Sequence, residues 1–504
     1  MSERRHTGVG GVARAPIVVV LAAALIGGGL LDRLPGQSPS RSAAAKRPVP
    51  VAAPPLALTS SWFCAGATGT SGGAASGTVV IANSGIKRAT GVVTLVPSRG
   101  SKVKVPVSVP RDARVAVPET VSGGAPWIGA IVDVDAGAVA VVQQVDGPDG
   151  TSATPCATAG SSHWYFSTGA TLVNASEEIS LLNPYPSDAI VDLSFTTNQG
   201  LESPNDYRAL AVPAGGMLNV NLGDHLRRRQ SIATTVTVSS GRVVAWKTDV
   251  VTPPAPNAVL LGTPAAASPL ADPAAPVPGV TVTLGSPGVA SKWVWPSGTA
   301  GNGVDERYVI YNPGPGTADL KLALLLDQGV AEPFELSVGP EQVATVVSAQ
   351  EARVPAGVAH AAVLESTNGV GVVAERTVAA AQPSPWSGLG ELPGGTFAAP
   401  RWLLAGGKAD RSHDGWVMLY NPGPAPATAS VAALTGGTQV PLRGMGSIAV
   451  PPARRVAVHL NDAGPSLDEP LVVSASQPVY VEANFYGRSG SPGVSLSFGV
   501  PLTP

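Results

Sequence analysis

The stretch Trp293–Pro313, WVWPSGTAGNGVDERYVIYNP, decides how the rest of the chain is read. It opens on Trp, passes through a Gly-rich turn and closes on an apolar run that ends in Asn-Pro. Three other stretches repeat the plan: Trp62 to Asn83 (VVIAN), Trp164 to Asn183 (ISLLNP) and Trp402 to Asn421 (VMLYNP). The Trp-to-Asn spacings are 21, 19, 19 and 19 residues in chain order. Beyond each Asn comes a Pro after an apolar residue (Pro110, Pro213, Pro340, Pro451). A final apolar run follows: VAVVQQ, RVVAWK, GVVAER and PVYVEA. A cadence of this length marks a repeated structural unit, and it decides the architecture before any local reading does.

Within a unit the dominant period is two. In MLNVNL, Leu218, Val220 and Leu222 alternate with Asn219 and Asn221, the pattern of a strand with one wet face. The second unit holds about seven such runs, at 163–167, 177–182, 190–196, 207–212, 217–222, 231–239 and 243–249. Seven short strands punctuated by turns suggest an immunoglobulin-like Greek-key β-sandwich. The repeated Asn-Pro is read as a strand terminator, with the Asn amide closing the turn. Only short helices are expected, around Gly223–Gln230 and Ser348–Arg353. The fold class is therefore all-β: four tandem β-sandwich units after an N-terminal membrane helix and a Pro/Ala-rich stalk. The expected boundaries are 1–31 for a cytoplasmic tail and signal-anchor helix and 32–58 for a disordered stalk. Sandwiches follow at 60–158 and 161–252, a Pro-rich linker at 253–288, and further sandwiches at 290–381 and 398–504.

The bulk numbers agree with this division. A chain of 504 residues with 59 Gly and 49 Pro is too long for one core and too punctuated for long helices. Residues 17–31, IVVVLAAALIGGGLL, are unbroken by charge and follow Arg4, Arg5 and Arg14. With Ala15 and Pro16 they reach the lower limit for a membrane span. LDRLPGQ follows in place of a nearby small-x-small cleavage site, so an uncleaved anchor is expected over a cleaved secretory signal. Either way residues 60–504 lie outside the cytoplasmic membrane. The first 50 residues carry a net charge of +5 and the remainder −7, which argues against nucleic acid as a partner. Cys64 and Cys156, the only cysteines, bracket the first unit of an exported chain and read as a disulfide.

Few residues are left over for chemistry. Ser71 in GTSGG matches G-x-S-x-G, yet it lies in a low-complexity loop without the strand and helix a nucleophile elbow requires. Asp410, His413 and Asp414 cluster in KADRSHDG, but polar loops of this kind usually face water, so no metal site is expected. Nothing reads as a cofactor motif. Arg227, Arg228 and Arg229 form a dense basic cluster that could fork phosphate or carboxylate groups. The four leading Trp are expected in the core. Trp295 and Trp386, taken as lying outside the repeat, are expected to be exposed and able to stack on sugar rings.

With the repeat in hand, the chain resembles an actinobacterial secreted-protein family of unknown function, domain of unknown function 5719. The resemblance is carried by SSWFCAGATGT, TVVIANSG, SSHWYFSTGAT, SLLNPYPSDAIVDLSF, DHLRRRQSIATTVTVSSGRVVAW, ERYVIYNPG and GWVMLYNPG. It implies no activity and no functional residues. The family's proximity to glycosyltransferase and envelope genes implies a cell-surface role. The expected function is a non-enzymatic scaffold or interaction protein of the cell envelope. It is membrane-tethered, with an envelope protein or glycan as partner. The alternative is an envelope carbohydrate-binding protein.

Overall fold

The computed structural model describes residues 49–253, 277–488 and 491–503. The expected membrane helix, most of the stalk and most of the 253–288 linker lie outside these residues. Among the described residues no helix is long and apolar enough to cross a membrane.

The first repeat contains eight strands: β1 (Ser60–Ala67), β2 (Ser76–Asn83), β3 (Ala89–Pro97), β4 (Val103–Val109), β5 (Ala113–Pro118), β6 (Ile128–Val134), β7 (Val139–Gly147) and β8 (Gly150–Pro155). They form two antiparallel sheets, ordered β1-β6-β3-β4 and β5-β2-β7-β8. In the first, β3 buries Val93 and Leu95 while Thr90 and Thr94 face outward, the expected alternation. In the second, the last five residues of β2 and the first five of β7 are buried on both faces, as continuous apolar runs require. One face meets the partner sheet and the other meets neighbouring repeats.

The same strand orders recur down the chain. In the second repeat, His163–Phe166, Ile232–Ser240 and Ala189–Thr197 lie side by side, and Met217–Asn221, Ala175–Leu182, Val244–Val251 and Gly279–Leu284 form the second sheet. The third repeat follows suit. In the fourth, the 17-residue strand Leu471–Gly487 does the work of β6 and β7 together and joins both sheets into one of nine strands. The expected short helices are single 3-10 turns, Leu222–Asp224 and Ser348–Gln350.

Three expectations need correction. Each repeat has an eighth strand, equivalent to β8. In the second repeat it is Gly279–Leu284, inside the stretch read as linker; in the third it is Gly388–Pro393, in the gap left between the sandwiches expected at 290–381 and 398–504. Their short Gly- and Pro-flanked sequences disguise strands that are central, not peripheral. The stalk's last residues are not free either: Ala52 N–H donates to Pro501 O, and Ala138 N–H to Ala53 O.

These eighth strands assemble the molecule. β8 packs against Gly279–Leu284 and Val494–Phe498, and Gly388–Pro393 packs against the same two, so the four close a ring around a common axis. Each is led by a glycine: Gly150, Gly279, Gly388 and Gly493. At one end of the axis Gly150 and Gly388 both face the backbone of Gly493, so close that a Cβ on Gly388 would lie 3.0 Å from its Cα. Gly279 sits against Gly150 and Leu389. Residues Pro48–Pro504 are accordingly one compact unit.

Candidate functional site

The recurring side chains are all consumed inside this architecture. Each signature Asn is fully buried and makes the same bonds. Asn312 Nδ2 donates to Gly316 O (2.7 Å) and Val338 O (2.9 Å), while its Oδ1 accepts from Gly314 N–H. Asn83, Asn183 and Asn421 repeat this with Val109, Val212 and Val450, the residues just before the recurring Pro. The Asn thus ties the turn after β2, or its equivalent, to the end of the fourth strand. The leading Trp are buried as expected, and Trp164, Trp293 and Trp402 donate Nε1–H to Val243, Val372 and Val479 carbonyls, the residues aligned with their Asn.

Two residues after each Trp comes a second recurring contact. In the first repeat it is the Cys64–Cys156 disulfide, joining β1 to the residue after β8. In the others a large side chain lies over a glycine at the place of Cys156: Phe166 over Gly285, Trp295 over Gly394, Leu404 over Gly499. A Cβ on those glycines would stand 2.7–2.8 Å from the covering side chain. This corrects the expectation for Trp295. It belongs to the repeat, is fully buried, donates to Leu392 O and packs edge-on against Tyr308. Trp386 is half-buried, stacked on Tyr486 at 4.0 Å between ring centroids.

Ionisable groups concentrate where repeats meet. The seventh strand and its equivalents place Gln143, Lys247, Arg376 and Ala483 at one aligned position, facing their own core. The preceding residues include Val142, Glu375 and Glu482, which meet the repeat before. At the second-to-third seam Lys247 Nζ donates to Glu391 (2.6 Å) and Thr168 O (2.7 Å), with Glu375 Oε2 at 3.9 Å and Asp249 Oδ2 at 3.4 Å. Thr168 also donates to Glu375 and Glu391. At the third-to-fourth seam Arg376 Nη2 donates to Glu482 Oε1 at 2.6 Å, and Asn484 Nδ2 to Ser297 Oγ. At the first-to-second seam Thr248 donates to Gly66 O. The fourth-to-first seam has no charge at these positions; Val142, Ala483 and Phe485 line a small hollow.

A carboxyl beneath each charged seam belongs to the same design. Glu177 and Glu306 occupy equivalent places six residues before their Asn. In the first repeat that place is Gly77, and Glu119 enters from the end of β5 to fill it, held by Gln143 Nε2 at 2.8 Å. Burial pushes the Glu119 carboxyl up to about 8, with the Gln143 bond only partly opposing it. Burial likewise raises Glu177 well above the ordinary range, Glu375 to about 8 and Asp249 to about 7, despite the nearby Lys247. For Glu391 burial also pulls upward, but its direct bond to Lys247 outweighs this and the net direction is down. Lys247 would be lowered by burial, yet the surrounding carboxyls hold it above its usual value. The seam therefore centres on the Lys247–Glu391 ion pair, with the carboxyls around it raised by burial. His360 Nε2 sits 2.9 Å from Glu306 Oε2 and 3.1 Å from the Tyr308 hydroxyl, also sealed from solvent. These charged residues inside apolar runs (AWKTD, AERT, YVEAN) were the overlooked sequence signal.

The remaining candidates are dispersed. Arg229 is bound to both oxygens of Glu202 (2.6 and 2.7 Å), which makes it a brace, while Arg227 and Arg228 are exposed. Ser71 lies in an exposed turn, and among the described residues no histidine is hydrogen-bonded to it. In the fourth repeat His413 Nδ1 meets Asp410, and His459 lies between Asp414 (2.7 Å) and Asp462 (3.0 Å), stacked on Trp416. Among the described residues no group of three His, Cys, Asp or Glu is placed to hold a metal ion.

Comparison with known proteins follows the resemblance seen in the sequence. Residues 137–387 match the model of a family of unknown function, DUF5719. No curated protein matches the chain. A crystal structure of Thermotoga maritima 1070 is 21% identical and covers 21% of this chain and 93% of its own, at a TM-score of 0.19. A Streptomyces avermitilis α-L-rhamnosidase complexed with L-rhamnose is 11% identical over 81% of this chain and 54% of its own, at 0.11. The arabinofuranosyltransferase AftD from Mycobacteria is 12% identical over 88% and 32%, also at 0.11. Scores this low carry no functional argument.

Proposed function

We propose that the protein is a non-enzymatic scaffold or interaction module of the cell envelope, tethered outside the cytoplasmic membrane. Its four units are immunoglobulin-like Greek-key sandwiches closed into a ring. One observation carries this reading: the recurring side chains (Trp, Asn and the large-on-Gly pair), together with the charges at two of the seams, are used to hold the assembly together. What differs between repeats is the exposed loops, where a binding protein differentiates its surface. The disulfide supports an oxidising compartment. The test is crosslinking in intact cells with identification of what is captured. A specific protein partner supports the reading. Capture of glycan polymer alone would replace it with carbohydrate recognition, for which Trp386, Arg227 and Arg228 are the remaining contacts.

A further inference from the structure

Because the four eighth strands run in parallel around the axis, all four turns following the signature Asn lie at one end of the ring. Pro155, Leu284, Pro393 and Gly499 surround a hollow there, and Val49 and Pro50, where the described chain begins, line it too. Three of these turns are proline-rich: PYPSD (184–188), PGPGT (313–317) and PGPAP (422–426). The fourth, in the first repeat, reads SGIKR (84–88). Its Ile86, Lys87 and Arg88 are exposed, with Ile86 at 64%. Neither cation is ion-paired among the described residues; Arg88 Nη1 donates to Ser108 Oγ. The turn is rigid, since Asn83 Nδ2 donates to Lys87 O and Ser84 N–H to Ala138 O.

An apolar pair stands beside it. Gly137 lies directly against the Pro54 carbonyl and also adjoins Gly85, so the entering segment and the SGIKR turn meet across it. That segment presents Leu56 and Leu58, 84% and 86% exposed. From residue 33 to 111 the chain carries ten Lys or Arg and no Asp or Glu. Exposed leucine and isoleucine beside unpaired cations form the combination that partitions into an anionic headgroup layer; the neighbouring Asp135 carboxylate is taken up by the Thr90 N–H and hydroxyl. The apolar tips sit at the acyl boundary and the cations at the phosphates.

We propose that this sector of the first repeat (Leu56, Leu58, Ile86, Lys87, Arg88) docks on an anionic membrane surface. The proposal rests on the tethered reading above, and the apolar run of the sequence ends at Leu31, shortly before Val49. Docking orients the ring with its axial hollow toward the lipid and the opposite end outward.

The test uses the full chain with phosphatidylcholine vesicles, with or without phosphatidylglycerol. Flotation with pure phosphatidylcholine reports the anchor alone, so failure of the tether is separable from failure of the surface. Hydroxyl-radical footprinting then reads the side chains. Oxidation of Leu56, Leu58 and Ile86 falls about tenfold when phosphatidylglycerol is present, while Val330, exposed at the other end, is unchanged. The Lys87→Glu/Arg88→Glu variant loses that protection but keeps the footprint of its buried strands. Equal oxidation in both vesicles overturns the proposal. So does protection by a soluble polyphosphate in place of the anionic lipid.

Discussion

At the scale of single residues, Asn312 shows how a repeated letter becomes a structural requirement. Its amide donates to the buried Val338 carbonyl and to the Gly316 carbonyl at the turn's rim, and accepts from Gly314 N–H. Asn312→Asp keeps the shape but removes both donors, leaving the Gly316 and Val338 carbonyls facing a carboxylate. We expect a loss of about 2–3 kcal/mol in urea unfolding, most of it from the buried Val338 carbonyl left unsatisfied beside a carboxylate. Trp295→Ala belongs to the same scale. A core side chain lying over Gly394 gives a loss of about 3–5 kcal/mol, whereas an exposed sugar platform would leave stability nearly unchanged. The role of the Asn was legible in its sequence because Asn-Pro after an apolar run has few explanations. The role of Trp295 was not, since the glycine it covers lies 99 residues away and only the closed sandwich brings the two together.

At the scale of elements, β1 is tied to the residue after β8 by a disulfide in one repeat and by a large-on-small contact in three. The two devices are therefore interchangeable. Replacing both cysteines by Ala removes a cross-link that spans 92 residues and costs about 4–5 kcal/mol on the chain-entropy account. The variant Cys64→Phe/Cys156→Gly imports the second repeat's solution, and its thermal midpoint lies above that of the double-Ala protein. The seams are also elements, and they respond to pH. Glu119, Glu177, Asp249 and Glu375 have folded pKa values raised above their unfolded ones, so they stay protonated in the fold after the unfolded chain has released its protons. Their contribution is full below about pH 4 and declines as pH rises through about 7 for Asp249 and about 8 for Glu119 and Glu375, where the folded carboxyls also ionise. Thermal melts between pH 5 and 8.5 should show that decline, and Glu119→Gln should flatten it. Strand alternation revealed most of these elements. Two of the four eighth strands were left outside their units, because a strand such as Gly388–Pro393 (GLGELP) carries none of the wet-face pattern; both of its faces are covered by other repeats.

For the whole molecule, the seams join what the cadence divides. Four independent sandwiches would unfold in separate steps, whereas units sharing a central ring of strands and buried ion pairs lose their support together. Calorimetry should give a single transition whose van't Hoff enthalpy exceeds that of any 100-residue domain. Chain length and repetition announced how many units there are. Nothing periodic announced that they close on themselves, because closure depends on contacts between positions a full repeat apart.

The glycines at the axis make four a geometric constant. With backbones already in contact there, a fifth unit would force the centre apart into a pore and three would collide. Such a protein can diversify by drift within each sector, letting one turn acquire lysine and arginine while its counterparts keep proline, but not by gaining or losing a sector.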